Sequence, residues 1–511
     1  MLTLGACDDY LDTMPDNRAT IDTEEKVTAL LVSAYPDHDF NMMTEVASDN
    51  VDDMGEDNPY SSRFMSQLYY WEDVTESDNE SPENFWQASY NAIAVANQAL
   101  QSIEEMGGAT TTTLLQAQAE ALICRAYNHF MLVNVFALNY NSETSDTDPG
   151  ITYMTEPETT VLVDYERNTV AEVYELIEQD LEAALPNVGD SYMTVPKYHF
   201  NPTAAYAFAC RFYLYYEKWD KAIEYADLVL GSSPTTMLRD YETMGSMTQS
   251  FSAVSQHYID ATLNCNLLLL TGYSRMGTFM GPYTTYKRFA HSPYTANNED
   301  AGATNIWGSS SGYHSGLKTY SATNASFSIF WRLPYLFEYT DEVAGIGYNR
   351  TVFPAFTTDE CLLNRAEAEV MQGDYDAAAE DLNIWMNNFM ETSTTLTAES
   401  ITEFYNSVDY SEPLSSTIKK HLNPAFTIDA EGSTQECMLQ CVLGFRRIET
   451  LQLGMRWFDV KRYGIEICRR VMNASGTPET LVDILSVDDP RRAMQIPASV
   501  IDAGYEANPR D

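Results

Sequence analysis

The segment TAAYAFACRFYLYYEKWDKAIEYADLVLGSSP, residues Thr203 to Pro234, constrains the fold more than any other stretch. Tyr206, Cys210 and Tyr213 recur at the spacing of one helical face. Trp219 opens a second helix whose inner face is Ala222, Ala226 and Val229, and Pro234 closes the unit. Small residues let two antiparallel helices approach closely, while aromatic rings fill the gaps between them. A second copy runs from Asp359 to Met386, with Gly373-Asp374-Tyr375 as its turn and Ala378, Leu382 and Trp385 inside.

Two earlier segments are equally helical. Ser81-Pro82 supplies an N-cap and first turn for a helix carrying Trp86, Tyr90, Ile93, Ala96, Leu100 and Ile103 on one face. Leu115, Ala119, Leu122, Ala126, Phe130 and Val133 give the next helix its face, and Val170 to Leu185, ended by Pro186, reads as its partner. All these stripes read as core. The paired unit resembles a tetratricopeptide repeat, whose period is roughly 34 residues. Gly231 to Phe356 differs: it is rich in Ser, Thr, Gly, Asn and Tyr, with short apolar runs at Leu267–Leu270 and Phe327–Trp331. The expected fold is therefore mainly α, a tetratricopeptide-like helical repeat scaffold with an irregular loop-rich lobe containing short strands. Residues 23–511 form one domain with the lobe, about 231–356, inserted, and residues 1–22 form an N-terminal tether.

Charge narrows the ligand classes. Lys and Arg number 29 against 75 Asp and Glu, a net charge of −46. That field opposes nucleic acid, anionic lipid and polyanionic substrates, and it suits neutral or cationic ligands. With 44% hydrophobic residues the chain is not disordered, yet no apolar run reaches the roughly 20 residues of a bilayer crossing. Any membrane attachment must then come from a lipid. Leu4-Gly5-Ala6-Cys7 has the shape of a bacterial lipoprotein processing site that would lipidate Cys7. Only Met1 to Ala6 precede it, with no basic residue, so an ordinary cysteine near a frayed terminus is the other reading. The remaining cysteines lack the spacing of a disulfide scaffold, and Cys437 and Cys441 suit one helix face.

Catalytic motifs are weak or missing. Gly308 to Gly312 matches G-x-S-x-G literally, but in a Ser/Gly loop with no buried strand before it. The seven histidines show no ligand spacing, there is no phosphate-binding loop, and nothing marks out a glycosidase carboxylate pair. The run Asp49 to Asp57 offers oxygen ligands for calcium but fails the EF-hand register, so it reads as a solvated acidic loop. Arg446, Arg447, Arg456, Lys461, Arg462, Arg469 and Arg470 read as internal partners for acidic helices. No cofactor and no metal are expected.

Several motifs add up to one family resemblance. WQASYNAIAVANQAL (Trp86 to Leu100), AEALICRAYNHFMLVNVFA (Ala119 to Ala137) and LLNRAEAEV (Leu362 to Val370) resemble helices of the SusD/RagB lipoproteins. FRRIETLQLGMRWFDVKRYG (Phe445 to Gly464) resembles that family's most specific motif, although Phe445 and Leu453 stand where it often has glutamate, and IPASVIDAGYEANP resembles its closing stretch. The Tyr-rich lobe matches least.

The resemblance implies a non-catalytic, lipid-anchored glycan-binding protein facing outward from a Gram-negative, Bacteroidetes-type outer membrane. Its implied partner is a SusC-like TonB-dependent transporter, with oligopeptide capture the related alternative and a hydrolase or generic repeat scaffold the competitors. Asp8-Asp9 after Cys7 fits export to the cell exterior. Family members stack aromatic rings on sugar faces while polar groups bind hydroxyls. Candidates for such contacts in this chain are Tyr70, Trp71 and Asp73, beside Tyr69 and Glu72, and Tyr283, Tyr286, Trp307 and Tyr313 in the lobe. For each of the aromatic residues plain packing is the competing explanation. Trp71 and Trp307 lead because polar, turn-forming neighbours favour exposure.

Overall fold

A computed structural model of the chain describes residues 21–158, 165–248, 250–283, 286–308 and 327–510. The long helices stand where the apolar spacing puts them. The Ser81 hydroxyl accepts the Asn84 amide hydrogen at 3.2 Å and starts the helix Pro82–Glu105, with Pro82 where a missing N–H costs nothing. Thr111 caps the antiparallel Thr112–Phe136 in the same way. From Ala119 onward that helix is buried on nearly every side, because Pro82–Glu105 and Val170–Ala184 both pack on it. Leu115, expected on the inner face, is exposed in the first turn.

The repeat-like units form as the spacing requires. Pro202–Tyr215, capped by Asn201, packs on Trp219–Leu230, and the Tyr213 ring stacks on Tyr225 at 5.5 Å. Thr358–Gln372 ends at Gly373, whose φ of 81° makes the left-handed turn that glycine tolerates without strain. Tyr375–Phe389 then returns along it, and Thr434–Glu449 packs against both. Trp385 stacks on Phe389 at 4.9 Å and Phe445 at 4.6 Å, and its indole N–H donates to Glu449 at 3.0 Å. These stacked pairs are a tetratricopeptide-like scaffold.

The basic cluster folds inward as an electrostatic knot. Arg446 binds Glu367 at 2.5 Å and Asp459 at 2.7 Å, and Arg462 binds Glu367 at 2.6 Å. Arg456 holds Asp49 at 2.8 Å, while Arg470 holds Asp52 and Glu299 at 3.0 and 2.9 Å. Lys461 and Arg469 instead donate to backbone carbonyls. This corrects the reading of the 49–57 run as a solvated loop over its first half, while Glu56 and Asp57 are exposed as that reading has them. Asp52 and Asp53 are buried and Asp49 is nearly so, because arginines from the distant C-terminal half neutralise them.

Among the described residues there are seven strands: β1 (Asp52–Asp53), β2 (Asn266–Tyr273), β3 (Phe289–Ala290), β4 (Leu336–Asp341), β5 (Ile346–Thr357), β6 (Ile467–Met472) and β7 (Pro478–Leu485). One sheet has the order β3-β1-β6-β7, with β1 parallel to β6 and the other pairings antiparallel. The other is antiparallel in the order β2-β5-β4, leaving β4 at an edge. The Leu267–Leu270 run lies in β2, whereas Phe327–Trp331 is buried irregular chain. No helix among the described residues is long and apolar enough to cross a membrane, and the seven cysteines there are free thiols.

Candidate functional site

Two backbone hydrogen bonds bring distant tyrosines together. The Tyr60 amide donates to the Tyr286 carbonyl, and the Arg288 amide donates to the Tyr60 carbonyl, each at 3.1 Å. The Tyr60 ring then rests on Phe279 at 5.4 Å. Nearby, Tyr283 meets Phe251 edge-on at 5.5 Å and tilts against Tyr335 at 5.1 Å. Gly277 permits this assembly: a Cβ there would stand 2.6 Å from the Pro334 carbonyl oxygen, so only glycine lets Pro334-Tyr335 lie on the helix Met276–Phe279.

The outcome is a surface of four exposed tyrosines around that helix. Tyr283 and Tyr286 are each 53% exposed, and Tyr60 and Tyr335 are open as well. Tyr286 also holds a left-handed φ of 55°, a backbone strain that tends to persist where a side chain must be presented in one direction.

Two of the nearby cations, Arg288 and Arg275, are paired with carboxylates. Asp53 takes the Arg288 guanidinium at 2.9 Å and accepts the Tyr70 hydroxyl at 2.7 Å. Burial, with the neighbouring Asp53 carboxylate, pushes the Tyr70 hydroxyl up to about 12, so it stays a donor. The Arg275 guanidinium lies 4.7 Å from the Phe279 ring and pairs with Asp78. Lys287 is buried, donates to the Gly281 carbonyl at 2.7 Å, and is lowered to about 7 by desolvation. Exposed tyrosine faces, tilted against one another, can stack on the apolar faces of a polar ligand. Among the described residues no group of three or more His, Cys, Asp or Glu is placed to hold a metal ion.

The two tryptophans singled out from sequence are not on this surface. Trp71 is only 7% exposed: its φ of 54° turns the indole inward, where its N–H donates to the Ala47 carbonyl at 2.9 Å and Arg469 lies 4.1 Å from the ring. Its edge lines a cavity of about 320 Å³ shared with Trp457, Arg491 and Ile501, and Asp73 there is bound by Arg510 at 2.9 Å. Trp307, also 7% exposed, packs 5.4 Å from Phe445 in the helical core. The expectation of exposure is thus corrected for both. Tyr69 is buried, and Tyr70 is half-buried with its hydroxyl committed to Asp53. Tyr283 and Tyr286 are exposed as a ligand surface requires. Cys7 and Tyr313 lie outside the described residues. Tyr60 and Tyr335 were missed, although Asn58-Pro59-Tyr60-Ser61 carries the polar, turn-forming neighbours used to favour Trp71.

Comparison with known proteins fits this architecture. The model of the SusD family matches residues 235–490, and a related one, described as starch-binding and associating with the outer membrane, matches residues 9–214. The chain belongs to the SusD/RagB family. No curated protein matches it. A SusD superfamily protein from Bacteroides thetaiotaomicron VPI-5482 superposes with a TM-score of 0.65 at 19% identity, over 96% of this chain and 100% of that one. A putative sugar binding protein from Bacteroides vulgatus ATCC 8482 gives 0.63 at 17% identity, over 96% and 99% of the two chains. A SusD-like carbohydrate binding protein from the same organism gives 0.64 at 15%, over 94% and 96%. At these identities the likeness is one of fold.

Proposed function

We propose that this protein captures neutral oligosaccharides on the Tyr60–Tyr283–Tyr286–Tyr335 surface and passes them, without chemistry, to a SusC-like TonB-dependent outer-membrane transporter. The exposed tyrosine surface, in a chain whose family model is described as starch-binding, carries the reading. The names of two superposing structures, one sugar-binding and one carbohydrate-binding, support the same ligand class. A tyrosine face matches the apolar face of a sugar ring, while its hydroxyl and nearby backbone groups match the sugar hydroxyls. The net charge of −46 favours neutral glycans over anionic ones.

Lipid attachment at Cys7 holds the protein on the outer face of the membrane in this account. Screening the purified protein against neutral glycans, anionic glycans and peptides tests the ligand class. Binding of neutral glycans without products is expected. Binding of peptides alone, or turnover of any oligosaccharide, would overturn it. For the anchor, Cys7→Ser is expected to release the protein from the membrane fraction, and retention of that variant would contradict lipidation there.

A further inference from the structure

A separate set of aromatic rings gathers on the helix Pro82–Glu105. Trp86 and Tyr90 stand one turn apart, their ring centroids 5.0 Å from each other and their planes inclined at 49°. The Tyr505 ring, from the C-terminal stretch, meets Trp86 at 5.6 Å and 74°. Rings set at such angles do not close into a stack, and these three wall a cavity of about 220 Å³. Tyr165 adds a fourth ring to the lining, and Glu156 and Glu158 add two carboxylates.

Hydrogen-bond donors in this lining are nearly all spent. The Tyr90 hydroxyl donates to the Thr152 carbonyl at 2.9 Å, and the Asn97 amide donates to the Met154 and Glu156 carbonyls at 3.0 and 3.3 Å. The Thr152 hydroxyl donates to the Glu166 carbonyl at 2.7 Å, so the Tyr505 hydroxyl, 3.1 Å from it, gives its own hydrogen to Thr152. The Tyr165 hydroxyl donates to Glu158. Among the described residues of the lining, the Trp86 indole N–H alone is a side-chain donor without a partner. Negative charge, in contrast, is unspent. Glu156 and Glu158 are exposed, and neither has an ion pair among the described residues. Arg167 lies 5.9 Å from the Tyr505 ring but outside the lining, and its guanidinium is committed to the Pro149, Gly150 and Glu506 carbonyls and to Asn508.

Aromatic faces attract a cation, and sugar hydroxyls or an anion would need donors that this lining does not offer. A quaternary ammonium group requires no hydrogen bond and gains from both the rings and the carboxylates. The cavity is smaller than the roughly 300–1,000 Å³ that drug-sized ligands occupy, which sets the ligand at head-group size. The net charge of −46 raises the local concentration of any cation. We propose that the cavity walled by Trp86, Tyr90, Tyr165 and Tyr505 binds a small quaternary ammonium solute, with Glu156 and Glu158 balancing its charge. The site shares no residue with the tyrosine surface and stands independently of the glycan reading.

The test is calorimetric titration of the full chain with choline, ethanolamine, phosphocholine and dimethylbutanol, the neutral carbon isostere of choline. Ethanolamine keeps the charge without the methyl groups, and the isostere keeps the shape without the charge. Choline is expected to saturate one site and to bind at least about tenfold more tightly than either, about 1.4 kcal/mol. Phosphocholine should bind more weakly than choline, because its phosphate meets Glu156 and Glu158. Tyr165→Leu keeps an apolar wall without the aromatic face and should weaken choline about fivefold. The exposed pair Glu156→Gln/Glu158→Gln should weaken it as well, and both proteins should melt at the wild-type temperature. Choline no tighter than its isostere would mark a plain apolar cleft, and choline no tighter than ethanolamine would mark net charge alone; either overturns the inference. So would undiminished choline binding in both variants, or no choline binding at millimolar concentration. Phosphocholine tighter than choline would assign the cavity to a lipid head group and overturn the solute. Glycan binding should be unchanged in Tyr165→Leu, and its loss there would give the cavity to glycan instead.

Discussion

Tyr283 is tied to the fold by its ring edges, against Phe251 and Tyr335, and leaves more than half its surface to solvent. Removing it deletes a stacking face and little packing. Tyr283→Ala is expected to weaken glycan binding about tenfold, roughly 1–1.5 kcal/mol, with an unchanged melting temperature; calorimetric titration and thermal unfolding check the two halves. Trp71 is the opposite case. Its indole N–H is bonded to Ala47 and its ring is covered by Arg469. Trp71→Ala should cost about 3–5 kcal/mol of stability, read as a lower midpoint in denaturant, whether or not ligand is present. Both residues sit beside polar, turn-forming neighbours, so local sequence does not separate them. What does is the left-handed backbone at Trp71 and an arginine almost 400 positions away, neither of which a window of neighbours contains.

Among the elements, legibility follows how local the physics is. Caps and periodicity depend on three or four consecutive residues, and Ser81, Trp219 and Gly373 stand where the sequence placed them. The surface around Met276–Phe279 depends on segments some 50 to 275 positions apart, and only its Tyr283 and Tyr286 were anticipated. Gly277 is the element that joins it, through the close approach of Pro334-Tyr335. Gly277→Ala is expected to push that segment outward and weaken binding, although residue 277 need not touch ligand; titration beside a thermal melt distinguishes this from unfolding. The helix Thr358–Gln372 carries a different dependence. Glu367 neutralises Arg446 and Arg462 in the interior, so Glu367→Ala should destabilise by about 3–5 kcal/mol, visible as a lower denaturant midpoint.

Across the whole molecule, two sets of buried carboxyls pull stability in opposite directions with pH. Burial opposes charge on Glu367, but Arg446 and Arg462 outweigh it and hold the carboxyl at about 2. Its contribution is complete above the ordinary carboxylate range near 4 and is lost as pH falls toward 2. Asp39, Glu45 and Asp300 are raised to about 7 by desolvation. The folded chain keeps protons there that the unfolded chain releases near 4, so their contribution is complete below that point and lost as pH rises to 7. The melting temperature should therefore peak on the acid side of neutrality, higher near pH 5 than at pH 8. Added salt should raise it at pH 8, since going from about 10 mM to about 100 mM shortens the screening length from about 30 to about 10 Å and eases self-repulsion in a chain of net charge −46. Thermal melts across pH and salt check both trends.

At this scale the central claim is capture of neutral glycan on the tyrosine surface of a SusD/RagB-family scaffold. It is tested most directly by titrating one neutral oligosaccharide, chosen from the glycan screen, into the wild-type chain and into a Tyr283→Ala/Tyr286→Ala double variant. Saturable binding without turnover by the wild type, and loss of most of that affinity in a variant that melts at the wild-type temperature, is the predicted result. Equal binding by the two proteins would place the site elsewhere and contradict the account.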